Sequence, residues 1–243
     1  KRIKVFVQSE FFVRNLVNTP ASQLGPNKFE DVIKSFAKER GASFRTLIGD
    51  DLLKENFPMI YAVGKAGAEA PRFIELNWGE ESHYKVTLVG KGVCFDTGGL
   101  NIKLGESMST MKKDMGGAAC VLGLMECIIR MRLKVYLKVL IPIVENSIAS
   151  QSLRPGDVLV SKKGLTVEVN NTDAEGRLIL ADSLYFADEE KPDLLVSMAT
   201  LTGAARVALG PDIAPFYCSD EGFSNALIDC SKEICDPVWR LPF

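Results

Sequence analysis

Histidine is almost missing from this chain: His83, in the polar stretch Glu80-Glu81-Ser82-His83, is the one instance in 243 residues. No H-E-x-x-H or paired-histidine zinc motif can be assembled, and His83 reads as a surface-loop residue. With no G-x-S-x-G elbow either, histidine-activated serine or cysteine chemistry is disfavoured. The six cysteines form no C-x-x-C, and most lie in apolar segments, where they read as small buried hydrophobes of a protein held in a reducing cytoplasm. No run approaches the roughly 20 apolar residues of a membrane helix, and Lys1-Arg2-Ile3-Lys4 leads into no signal-peptide core. A charge excess is lacking too. The 29 basic and 31 acidic residues leave a net charge of −2, which disfavours nucleic acid or an anionic membrane as partner. Gly90-Lys91-Gly92 starts like a nucleotide loop, but Phe95 stands where the third glycine belongs. Internal repeats and low-complexity tracts are also absent.

What is present is the balance of an ordinary globular domain, 47% hydrophobic and 25% charged. Phe29, Val32, Ile33, Phe36 and Ala37 recur at helical spacing and stop at Gly41, so residues 27–40 are expected to form an amphipathic helix. The β-rich runs 86–89, 135–144 and 194–196 have the continuous apolar character of strands covered on both faces. Segments 116–130 and 176–189 have helical length between them. Pro155-Gly156-Asp157 and Lys163-Gly164 bound two short strands within 153–170. The expected fold is α/β, a mixed but mostly parallel sheet sandwiched between helices.

Three polar clusters follow or precede these elements. Gly90-Lys91-Gly92-Val93-Cys94-Phe95-Asp96-Thr97-Gly98-Gly99 places a lysine and an aspartate just after a strand, where α/β sheets bind ligands. Met111-Lys112-Lys113-Asp114-Met115-Gly116-Gly117 sets a carboxylate before a helix of small residues. Asn170-Asn171-Thr172-Asp173-Ala174-Glu175-Gly176-Arg177 packs two carboxylates and a guanidinium between a strand and a helix, and strand alternation would send Asp173, Glu175 and Arg177 to one side. Asp114 and Asp173 could instead be helix caps, and the first cluster a solvated turn. Four carboxylates in one cleft would repel one another strongly unless cations sat among them. Two divalent ions balance four negative charges, and carboxylates bridging ions about 3.5–4 Å apart are the pattern of co-catalytic hydrolases.

With V-G-K-G-x-x-F-D-T-G-G, M-K-K-D-M-G-G-A-A and N-T-D-A-E-G-R-L in this order, the chain resembles the leucyl aminopeptidase family. The resemblance runs from about Leu16-Val17-Asn18-Thr19-Pro20-Ala21 to Trp239-Arg240-Leu241-Pro242-Phe243, and Ala199-Thr200-Leu201-Thr202-Gly203-Ala204 fits the bacterial cytosolic members. It implies a zinc-exopeptidase type of sandwich and two metal ions, manganese or zinc, with magnesium or cobalt as alternatives. One ion would be held by Asp96, Asp173 and Glu175, the other by Lys91, Asp96, Asp114 and Glu175. The plainer alternative for Lys91 is a salt bridge to the carboxylates. Lys103 would polarise the scissile carbonyl, and Arg177 would hold a bicarbonate that serves as general base. Met111, Asn171, Thr200, Leu201 and Gly203 would line the substrate site.

The resemblance further implies peptide substrates with a free N-terminus, a preference for leucine and other apolar residues, a hexameric assembly and a cytoplasmic location. By the same comparison residues 1–20 are expected to be a connecting helix from a preceding N-terminal domain, and 21–243 the catalytic domain, incomplete at its C-terminus. Two alternatives come from other classes: a nucleic-acid-binding accessory protein, which the net charge disfavours, and an inactive structural homologue, which the intact motifs disfavour.

Overall fold

The computed structural model describes residues 2–243. Its first unit, Lys1–Thr200, is built on a six-stranded sheet. In chain order the elements are α1 (Arg2–Asn18), α2 (Pro26–Arg40), β1 (Ser43–Ile48), α3 (Asp51–Lys54), α4 (Pro58–Gly64), β2 (Arg72–Trp78), β3 (Tyr84–Gly90), β4 (Gly92–Asp96), α5 (Gly116–Met131), β5 (Val135–Asn146), β6 (Val158–Val160), β7 (Thr166–Glu168), α6 (Glu175–Glu189) and β8 (Leu194–Met198). Three-residue to five-residue 3-10 turns precede α5 and α6. The second unit, Leu201–Phe243, contains α7 (Gly203–Leu209), β9 (Ala214–Phe216), α8 (Glu221–Glu233) and β10 (Val238–Arg240), with β9 and β10 parallel.

The expected helices and strands are present. The amphipathic helix α2 begins with Pro26 and ends at Gly41, whose φ of 66° is the left-handed conformation that glycine adopts without a Cβ penalty. The sheet is mixed, as expected, but its antiparallel part comes from elsewhere than the turn-rich segment. β1 pairs β2 and β2 pairs β5 antiparallel, whereas β6 and β7 form a separate two-stranded hairpin. Only three strands carried a strong apolar run in the sequence. β1 alternates between exposed and half-buried positions, and β2 carries Arg72, Glu75 and Asn77 among its apolar residues, so neither announced itself.

Successive residues of β5 feed opposite cores. Val139, Ile141 and Ile143 pack with Phe29, Ile33 and Phe36 of α2 and Ala118, Leu122 and Met125 of α5. Leu140 and Val144 join Met59, Ile60 and Val63 of α4 and Leu178 and Ile179 of α6. Each of the larger side chains (Val, Leu, Ile, Met, Phe) contributes about 1.5–3 kcal/mol on full burial. α1 lies against α5, where Ser9 Oγ donates to Gly123 O over 2.6 Å.

β3 and β4 lie consecutively along β5, both parallel to it, and β8 is parallel to β3. Four strands therefore end on the same side of the sheet, delivering Lys91, Asp96, Asn146 and Thr200. The cysteine expectation fails: Cys94 alone is buried, Cys127 and Cys218 are half-buried, and Cys120, Cys230 and Cys235 are exposed. Apolar sequence neighbours did not set their burial because a helix buries only one stripe of its residues.

Candidate active site

Lys91 leaves the end of β3 into a space closed by α6. Gly176 makes that possible, since a Cβ there would stand 2.7 Å from Lys91 Cε. The buried Nζ lies 2.9 Å from Glu175 Oε1 and 2.9 Å from Asp114 Oδ2, and donates to Thr200 O over 3.0 Å. Asp114 sits in the 3-10 turn Met111–Met115 and caps no helix; its Oδ1 accepts from Thr200 Oγ1 at 2.8 Å. Asp96, at the end of β4, accepts from Gly98 N at 2.9 Å and Asn146 Nδ2 at 2.8 Å through Oδ1. Its Oδ2 faces Lys103 Nζ at 2.8 Å. The chain reverses just beyond, through Gly98 (φ 87°) and Gly99 (φ 64°), which brings Lys103 back over Asp96.

Asp96, Asp114 and Glu175 are all buried, and each offers an oxygen within 4.8 Å of the other two. Asp173 lies outside this trio. Its side chain is 34% exposed and is tied to the cluster through Lys103 at 2.5 Å. Strand alternation does not apply to Asp173, Glu175 and Arg177: Thr172–Ala174 is a 3-10 turn and Glu175 opens α6, so Glu175 turns inward while Arg177 is exposed. Nor does Asp173 cap the turn; Asn171 does, its side chain accepting from Asp173 N at 2.9 Å.

The electrostatics match the geometry. Burial drives Glu175 up to about 7, with Asp96 and Asp114 adding to the rise and Lys91 opposing it. Burial raises Asp114 in the same way, against Lys91. Burial would lower Lys91, but Glu175 and Asp114 outweigh it and hold the ammonium above the ordinary lysine range. Lys103 is likewise held high, burial being overcome by Asp173 and Asp96. Lys91 thus makes the carboxylate salt bridges that were its simpler reading.

Four carboxylates face two ammonium groups here. Asp114 Oδ2, Asp173 Oδ1 and Glu175 Oε2 are buried without a hydrogen bond, the first two lying at ion-pair distance from Lys91 and Lys103. Buried acceptors of this kind call for cations, and a hard oxygen set with one amine suits manganese, magnesium or zinc.

Among the other expected residues, Met111 is half-buried in the turn that carries Asp114. Thr200 fastens Lys91 and Asp114 to the end of β8 rather than standing free. Leu201 and Gly203 are exposed and belong to the second unit. Sequence reasoning missed Asn146, Thr172 and Asn101. The available signal for Asn146 was a polar residue at the end of the longest apolar strand run.

A mixed sheet whose parallel strands gather buried carboxylates and lysines at their ends, with oxygen donors suited to divalent cations, defines an α/β domain with a candidate metal centre. The chain belongs to the cytosol aminopeptidase family: the model of that family's catalytic domain matches residues 11–243. It is 40% identical over 241 residues to a probable cytosol aminopeptidase of Persephonella marina, which covers 99% of this chain and 48% of the relative. The crystal structure of the Coxiella burnetii cytosol aminopeptidase superposes with a TM-score of 0.96 at 49% identity, over 99% of this chain and 52% of that one. A bottromycin maturation enzyme solved in complex with Mn gives 0.93 at 36% identity, over 98% of this chain and 53% of that one. The chain spans about half the length of the relatives it matches.

Proposed function

We propose that this chain carries the catalytic centre of a two-metal aminopeptidase that releases N-terminal amino acids, leucine and other apolar residues foremost, from peptides. The observation that carries the reading is the buried convergence of Asp96, Asp114 and Glu175, with carboxylate oxygens that accept no hydrogen bond. Asp96, Asp173 and Glu175 would hold one ion, and Lys91, Asp96, Asp114 and Glu175 the other, with Lys91 ligating as the neutral amine because an adjacent dication penalises its ammonium and displaces the proton. When bound, the pair would supply Lewis-acid activation of water and of the scissile carbonyl. Manganese is favoured by the Mn-bound structural neighbour, with zinc, magnesium and cobalt as alternatives of similar coordination chemistry.

The protein's own side chains account for the rest. Lys103 reaches the cluster from the glycine turn and keeps its proton, so its ammonium can stabilise charge developing on the substrate carbonyl oxygen. Arg177, exposed in the first turn of α6 and without a carboxylate partner among the described residues, would hold an anion such as bicarbonate as general base. Met111, Asn171, Thr200, Leu201 and Gly203 would line the substrate's path. A free α-amine as ligand would restrict cleavage to N-termini. A cytoplasmic location is supported by the names of the relatives, and among the described residues no helix is long and apolar enough to cross a membrane. Assembly as a hexamer completes the proposal.

The test is chelation followed by elemental analysis and leucine-anilide hydrolysis. Activity is expected to vanish with the metal and to return with manganese or zinc. Undiminished turnover by protein verified free of metal would overturn the two-metal reading.

A further inference from the structure

Asn146 joins the two loops that carry the carboxylates, and does so without charge. It ends β5 opposite Asp96 of β4, is 5% exposed, and spends both amide protons within the site: one on Asp96 Oδ1 at 2.8 Å, the other on Thr172 O at 3.1 Å. Its backbone carbonyl accepts from Thr97 N and Thr97 Oγ1 at 3.1 and 2.8 Å. Thr172, 1% exposed, continues the seam. Its hydroxyl donates to Gly98 O at 2.7 Å and accepts from Asn101 N at 2.8 Å, while its own N–H donates to Asn101 Oδ1 at 2.8 Å.

The seam therefore spans the Asp96–Lys103 loop on one side and the Asp173–Glu175 turn on the other. With Gly98 N and Asn146 occupying Oδ1 of Asp96, the Oδ2 oxygen is the one that faces Lys103. A lysine in the place of Asn146 would hold Asp96 equally well but would compete with a cation for its charge. An amide directs the carboxylate and leaves the charge available.

We infer that Asn146 and Thr172 are positioning residues that set the orientation of Asp96 and the spacing between Asp96 and the Asp173–Glu175 turn, and thereby the affinity of the site for divalent cations. This rests on the reading of the carboxylates as cation ligands. Groups that orient metal-binding carboxylates typically contribute about 10–100-fold in affinity, which sets the scale of the expected effect.

The experiment is a calorimetric titration of the full chain with Mn2+, alongside thermal melts in chelator. Asn146→Ala and Thr172→Val are each expected to weaken Mn2+ binding by about 10–100-fold, and Thr172→Ser, which keeps the hydroxyl, to bind like the wild type. If Asn146→Ala does not fold, the Thr172 pair decides by itself. Wild-type affinity in Thr172→Val, or a Thr172→Ser as weak as Thr172→Val, would overturn the inference, the latter because the methyl group and not the hydroxyl would then matter. Stoichiometric binding to the wild type with unchanged variants overturns the positioning role alone, whereas a wild type that binds no Mn2+ overturns the cation reading with it.

Discussion

Two glycines show how the same substitution probes different things at this site. At Gly176 the atoms a new Cβ would meet belong to the far end of Lys91, 2.7–2.9 Å away. At Gly117 a Cβ would fall 2.1 Å from Met198 O, which is backbone and cannot yield without moving β8. Gly176→Ala is therefore expected to destabilise less than Gly117→Ala, since alanine regains up to about 1 kcal/mol of helix propensity against the weakened Lys91 ion pairs. Displacing Lys91 from Glu175 and Asp114 should still cost about 10²-fold in kcat/KM, the scale of a small misplacement in an active site. Gly117→Ala should instead destabilise the fold by about 2 kcal/mol or more. Melts and leucine-anilide kinetics on both variants check this; equal losses of stability would refute the distinction. Neither role was legible in the sequence, where both positions read simply as small residues at helix starts.

Between elements, a second buried charge group links β2, β5 and the end of α6. Lys138 Nζ lies 2.8 Å from Glu75 Oε1 and 2.5 Å from Glu190 Oε1. Burial would raise Glu75, but its hydrogen bond and attraction to Lys138, with help from Asn77 and Arg45, hold it below the ordinary 4.5. A depressed carboxylate favours the folded state above the unfolded pKa, and that contribution is lost as pH falls through the folded value. Glu75→Gln is expected to cost about 1.5 kcal/mol at pH 7, the scale of a hydrogen bond to a charged group. The gap between variant and wild type should then close below about pH 4. Denaturant melts across pH 3–8 measure it, and a gap independent of pH would show that Glu75 acts by packing alone. These polar residues are also why β2 was not apparent as a central strand: the pattern that encodes this ion pair interrupts the apolar run.

The molecule as a whole divides into units of unequal burial. The first contains both apolar cores. In the second, Leu201–Phe243, the fully buried side chains are the small Ser224 and Ser231, and large residues such as Val207, Ile234 and Phe243 are exposed. Opening free energy follows buried apolar contact. Amide exchange followed by mass spectrometry should therefore show α7 and α8 exchanging ahead of β5, whose Leu137–Ile141 amides should be released only in global unfolding. Simultaneous exchange of the two units would contradict this.

Periodicity and turn chemistry alone determined the alternation of helix and strand, because each element's burial pattern is written in residues a few positions apart. They also marked where polar groups follow the strands, and the three motifs carried the family resemblance. The tertiary structure decided which of those groups meet. Asp96, Asp114 and Glu175 converge only because β3, β4, β5 and β8 run parallel and end on one side of the sheet, a register set by pairings across tens of residues. The same long-range closure left Asp173 at the margin, turned Arg177 outward and recruited Asn146 and Thr172 to join the loops. Hydrogen bonds and ion pairs of this kind depend on distances that local sequence does not encode.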